Sequence, residues 1–220
     1  MLRHPDSRII IGIDLSGPRN IADTALAVFA QHGEKLSFVR AMHGASDQDI
    51  FQLISNLGEE SRLVLGIDAP LSYNPGGGDR PGDADLRRTA SAIGRVGVMP
   101  PTFNRMVYLT LRGIALTRAI ETLRARMDLW IVEVHPGASM LLRGAPSADV
   151  ATFKTDPAAR LRLLGWLATM GLIGVPRDDE PTDHFVAACG AALAAWKWSI
   201  GQPTWCHPAR PPERPYDFAC

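Results

Sequence analysis

Two apolar, β-rich runs in this 220-residue chain end in the same three residues: RIIIGID over residues 8–14 and RLVLGID over residues 62–68. Such runs read as strands buried on both faces, where an ionised carboxylate is costly unless it is paired or liganded. Asp14 and Asp68 are therefore expected at strand ends. Each is followed by a chain-breaking stretch, LSGPRN after the first and APLSYNPGGGDRPGD after the second. Asp14 read alone fits the start of an Asx-type turn, or the first solvated residue beyond a core strand. Two such ends in one chain raise a third reading, in which both acids serve one site.

The remaining segments place these strands in a fold. DTALAVFAQHGEKLSFVRAMHG holds two β-rich pieces around His32-Gly33, which predicts a three-strand antiparallel meander with the opening strand. DQDIFQLISNLGEE is helical: Ile50, Leu53, Ile54 and Leu57 recur on one face, and Ser46 stands where a cap belongs. Residues 83–127 read as a helical insertion, two helices separated by VGVMPPTFN, the second from about Met106 to Arg126. LWIVEV is a further strand carrying Glu133, and HPGASMLLRG continues as a short helix with Pro136 in its first turn. Two more helices are expected, at about 156–170 and 182–198. The tail over 201–220, with five prolines, suits an extended segment rather than a helix. One domain over residues 1–200 with the insertion at 83–127, plus the tail, accounts for the chain. The order β-β-β-α-β-α-α-β-α-α-α predicts an α/β, RNase H-like mixed sheet, the antiparallel meander continued by parallel strands, with helices on both faces. Strand ends gather at one edge of such a sheet, so Asp14, Asp68 and Glu133 are expected to converge.

Composition removes several classes of function. Lys plus Arg and Asp plus Glu each number 23, so no global field draws the chain to nucleic acid or to an anionic membrane. The opening MLRHPDSR lacks an apolar signal core, and no run approaches the roughly 18 apolar residues of a membrane span. Three cysteines, Cys189, Cys206 and Cys220, have no metal-type spacing and fit a reduced chain, which makes the cytoplasm the expected compartment.

Several carboxylates at one sheet edge repel one another, and a hard divalent cation relieves that repulsion. Mg²⁺ or Mn²⁺ suits a set of acids without His or Cys, and supports phosphodiester cleavage. Asp14, Asp68, Glu133 and Asp183 are the expected metal ligands and catalytic acids. Asp183 opens the helix TDHFVAACGAALAAW, where capping explains an Asp equally well. Between Arg80 and Arg126 there are nine Arg against three acids, Asp83, Asp85 and Glu121. Arg80 and Arg87, beside the Asp68 loop, are candidates for phosphate contacts, or else belong to a solvated helix face. Lys154 and Arg160 are further candidates, and Ser16 would contact phosphate if DLSG forms a phosphate-binding hairpin.

The blocks GIDLSGP, GIDAPLS followed by RPGDADLRR, EVHPGASMLLRG, FKTDPAARL and DHFVAACGAALAA, in this order over residues 9 to about 195, resemble the DUF429 family. That family is described as predicted nucleases of the RNase H fold. The resemblance implies a divalent-metal nuclease, with Asp14, Asp68, Glu133 and Asp183 as suspected ligands and a nucleic acid or nucleotide as substrate. Two positions depart from the family pattern. Gly82 stands where the family often has Cys before the acid, which argues against a catalytic thiol, and His135 replaces the tyrosine of E-x-Y-P. A packed, hydrogen-bonded His135 is the expected role. Two other classes stay open: an ATP-binding phosphotransferase of the actin or sugar-kinase type, and a non-catalytic RNase H-like binding module. Oligomeric state has no signature in the sequence.

Overall fold

In the computed structural model, which describes residues 8–57, 62–101, 104, 106–123, 128–177 and 180–220, both GID runs are strands ending at their aspartates. Strand β1 (Arg8–Asp14) is followed by β2 (Ala25–His32) and β3 (Lys35–His43), each antiparallel to the one before. Gly33 turns the second hairpin at a φ of 59°, a left-handed conformation that glycine adopts without a Cβ penalty. Helix α1 (Asp47–Ser55) crosses over to β4 (Arg62–Asp68), which lies parallel to β1. Its Ser46 cap is reciprocated by Asp49, closing a capping box.

Helices α2 (Pro81–Ser91) and α3 (Met106–Leu123) then intervene before β5 (Leu129–Val134), which is parallel to β4. The chain continues through α4 (Pro136–Leu142), α5 (Ser147–Thr152), α6 (Pro157–Thr169), the short β6 (Leu172–Ile173) and α7 (Asp183–Ser199). Sheet order is β6-β3-β2-β1-β4-β5-β8-β7, the mixed antiparallel and parallel α/β sheet expected from the pattern. The proline-rich tail is extended and folds back: β7 (Cys206–His207) pairs with β8 (Phe218–Ala219), and β8 adds to the sheet beside β5. Among the described residues no helix is long and apolar enough to cross a membrane.

Strand alternation sorts the core. Ile10, Val64, Val132 and Val134 pack with α4, α6 and α7 on one face, while Ile11, Ile13, Leu65, Ile67 and Ile131 pack with α1 and α3 on the other. Helix α7 is apolar all round and buried from Phe185 to Trp196, as a helix laid across the centre of a sheet must be. It comes so close because the strands beneath it lack side chains at two points. A Cβ on Gly12 would stand 1.9 Å from the Ala188 carbonyl oxygen, and one on Gly66 would stand 2.6 Å from that of Ala191. Gly12 and Gly66 sit opposite one another in the β1–β4 register, and their strands end two residues later at Asp14 and Asp68. The repeated Gly-Ile-Asp is thus a docking device. Its glycine admits the helix backbone, and in the first copy the aspartate, Asp14, meets the same helix at His184 in its first turn.

Candidate functional site

Asp14 and Asp68 face each other across β1 and β4 as register partners on the side that carries α7. They lie on the wall of a cleft of about 480 Å³ at the carboxyl ends of the strands. The two carboxyls are close enough to act on each other, and Asp68 is pushed well above the usual carboxylate range by burial and then by the charge of Asp14. Lys154 opposes that rise without cancelling it. Burial and the neighbouring like charge thus both favour the protonated form of Asp68.

Helix α7 contributes the third member. His184 Nδ1 lies 2.7 Å from Asp14 Oδ2, and this hydrogen bond, reinforced by the charges of Asp14, Asp183 and Asp23, raises the imidazole pKa against the opposing effect of burial. The other ring nitrogen, Nε2, stands 3.9 Å from Asp183 and 3.9 Å from Asp23. Asp183 lines the cleft but does not cap its helix: the hydroxyl of Thr182 accepts from the Phe185 amide and holds that position. Asp183 is thus the first residue of α7, where a carboxylate suits the helix dipole, and it also lines the cleft. His184 was absent from the residues expected from sequence. Its signal was slight, an imidazole beside an acid in a first helical turn, with its partner 170 residues away.

Glu133 has a different environment. Val132 and Val134 belong to the α7 face, so alternation turns Glu133, register partner of Ile67, toward the other side. There its carboxylate accepts from Arg80 Nη1 at 2.8 Å and Nη2 at 2.5 Å, and from the Leu71 amide at 2.9 Å. Asp83 binds the remaining edge of the same guanidinium, with Arg80 Nε to Oδ2 at 2.9 Å and Nη2 to Oδ1 at 2.6 Å. Ser72 accepts as well, and the guanidinium lies 5.4 Å from the Phe218 ring centre. Burial works against this cation, but its two carboxylates outweigh burial and raise its pKa. All of Arg80 is committed inside the protein.

Other expected phosphate contacts also have internal partners. Arg87 pairs through two nitrogens with Asp79 at 2.7 and 2.8 Å and donates to the Val98 carbonyl at 2.7 and 2.9 Å. Ser16 Oγ lies 2.6 Å from the Asn20 carbonyl and 2.7 Å from Thr24 Oγ1, and the buried Arg112 clasps the same loop through the Ser16 carbonyl at 2.8 Å. Arg160 donates to the Phe153 and Lys154 carbonyls, shaping the loop on which Lys154 sits. His135 caps α4 by accepting from the Ala138 amide at Nδ1, so Nε2 carries the hydrogen toward the Gly97 carbonyl at 3.0 Å. Burial lowers its pKa and keeps it neutral, the packed role expected of it. Lys154 and Arg95 differ from these. Both are exposed, line the cleft, and have charged groups without a partner among the described residues.

Among the described residues no three His, Cys, Asp or Glu side chains are arranged as a ready metal cage. The donor set nevertheless suits a hard cation. Mg²⁺ is commonly held by one or two carboxylates, with waters and substrate oxygens completing its shell, and Asp14 with Asp68 meets that requirement. Such an ion would oppose the burial and like-charge repulsion that act on Asp68.

A family model described as "Protein of unknown function (DUF429)" matches residues 12–213, from the glycine of the first GID to within the folded-back tail. No curated protein matches the chain, and no solved structure does.

Proposed function

Because the chain belongs to the DUF429 family, whose function is unknown, its activity has to be argued from its site; we propose a divalent-metal-dependent phosphodiesterase acting on nucleic acid or nucleotide. One observation carries the reading: two carboxylates are brought together by parallel strand register on the wall of a cleft, where burial and like charge oppose ionisation of Asp68 and a divalent cation would favour it. Asp14 and Asp68 would hold Mg²⁺ or Mn²⁺, with Asp183 as a further oxygen donor from α7. When bound, such an ion supplies a hydroxide-like nucleophile near neutral pH and neutralises charge on a phosphoryl group.

The protein's own groups supply the rest. Lys154 and Arg95, exposed on the cleft wall without partners among the described residues, offer their charges to phosphate oxygens. His184, oriented by Asp14 through Nδ1, presents Nε2 as the atom that gives a proton to the departing oxygen. Glu133 and Asp83 act indirectly, through the buried Arg80 that braces the cleft wall. The ATP-binding alternative has less support, because the Ser16 hydroxyl of DLSG is engaged within its own loop. A cytoplasmic location accords with the reduced cysteines.

The test is a Mg²⁺ and Mn²⁺ screen against labelled single-stranded, duplex, branched and hybrid nucleic acids, with Asp14→Asn as control. Metal-dependent cleavage that disappears in the variant is expected. Absence of both cleavage and any metal-induced thermal shift would overturn the reading in favour of a non-catalytic binding module.

A further inference from the structure

The cleft has two unlike walls. Near the carboxylate pair stands the exposed cation Lys154, which acts on Asp68, while another part of the lining is apolar, formed by Val98, Met99, Met106 and Leu109. Residues 97 and 98 of that lining are held in place by side-chain hydrogen bonds. His135 binds the Gly97 carbonyl, the paired nitrogens of Arg87 bind the Val98 carbonyl, and Asp79 fixes Arg87 in turn. Two polar side chains buttressing consecutive carbonyls make a prearranged surface, although Met99 itself remains 46% exposed.

From this juxtaposition we infer that the cleft takes one unstacked nucleotide unit, its phosphate between the carboxylate pair and Lys154 and its base against the thioethers of Met99 and Met106. The inference rests on the phosphodiesterase reading and adds the substrate's size and shape. A volume near 480 Å³ lies within the range of small-ligand sites and has no room for a stacked duplex. Two thioethers favour an aromatic ring over an aliphatic chain, because polarisable sulfur makes attractive contacts with ring edges and faces. Methionine also adapts its shape, so purines and pyrimidines both fit the wall. A base reaches it only when unpaired, as a free nucleotide or as the end of a single strand.

Binding of nucleoside 5′-monophosphates, ribose 5-phosphate and a short single-stranded oligonucleotide, each measured calorimetrically with Mg²⁺, tests the assignment on the full chain. The nucleotide should bind about tenfold or more tightly than ribose 5-phosphate, a difference of about 1.4 kcal/mol. Met99→Gln and Met106→Gln, which keep side-chain length, should shrink that ratio toward one, whereas Lys154→Gln should weaken both ligands by the same factor. Thermal melts of each variant identify any that fail to fold, and the two methionine variants serve as independent checks. Tighter binding of the oligonucleotide identifies a strand end as the natural occupant, and equal binding identifies a free nucleotide. Ribose 5-phosphate binding as tightly as the nucleotide, an unchanged ratio in both folded methionine variants, or no nucleotide binding at millimolar concentration would overturn the inference. Cleavage without the nucleobase preference removes this inference and leaves the phosphodiesterase reading standing. The preference without cleavage does the reverse.

Discussion

Two groups of acids border the same cleft, and the protein treats them in opposite ways. Around Arg80, the carboxylates of Asp83 and Glu133 surround one buried guanidinium, and every strong donor has an acceptor. At Asp14 and Asp68 the described surroundings are each other, one histidine edge, the charge of Glu133 and a lysine at a distance. The first group is a finished ion cluster and holds the wall. The second leaves Asp68 buried beside a like charge, an arrangement that a bound cation would relieve. An acid at a strand end is therefore an ambiguous sign. Its meaning depends on what the next loop brings against it.

The largest effect should come from breaking the finished cluster. Arg80→Met leaves two buried carboxylates without their cation, a loss of about 3–5 kcal/mol. In a chain of this size that corresponds to a fall in Tm of roughly 6–20 °C, measurable by calorimetry. Asp83→Asn together with Glu133→Gln should recover part of the loss. A Tm close to wild type in Arg80→Met would mean that the cluster is not the brace described here.

Next in size is Gly12→Ala, which lifts α7 off the sheet and so disturbs the open pair, while Arg80 has no partner on that helix. Overpacking of this kind costs about 1–3 kcal/mol. The variant should also lose the Mn²⁺-induced rise in Tm, because His184 and Asp183 move with the helix. A variant that keeps the full metal response would separate α7 from the site.

Asp68→Asn probes the open pair directly. The amide removes the cost of a buried charge beside Asp14, so the metal-free protein should change by less than about 1 kcal/mol, or gain slightly. Its Mn²⁺ response should nevertheless vanish. That combination distinguishes a carboxylate kept for a ligand from one kept for stability, and Glu133→Gln should show the contrary pattern.

The smallest effect is that of pH. Asp68 and His184 both bind protons more tightly in the folded chain than in the unfolded one. Their stabilising contribution is therefore complete below the unfolded values and is lost as pH rises through the folded ones. Metal-free protein should show a gently falling Tm as pH increases from 6.5, the ordinary histidine value, through the elevated value of His184. Mn²⁺ should flatten that slope by replacing the protons. A Tm that rises over the same interval would contradict the environment assigned to the pair.

The strands, their carboxylate ends, the meander and most helices are written in local patterns of the chain. Apolar β-branched runs ending in Asp, Ser46 with Asp49, and the period of Ile50, Leu53 and Ile54 depend on neighbours a few residues away, where sequence and geometry coincide. The adjacency of Asp14 and Asp68 also followed from topology, once the strands were recognised as parallel neighbours. Arg80, Arg87 and Ser16 show where that reasoning stops. Each is a suitable phosphate ligand by residue type, and each finds a partner within the protein instead. Nothing in the residue itself announces the partner, since Glu133 lies 53 positions from Arg80. Strand alternation turned Glu133 away from the aspartates only when the β4–β5 register was set. His184 became Asp14's neighbour only because Gly12 and Gly66 let α7 lie against the sheet. Local chemistry chose the elements and their acidic ends. Packing distributed the counterions, because burial makes every charge seek its partner in space and not along the chain.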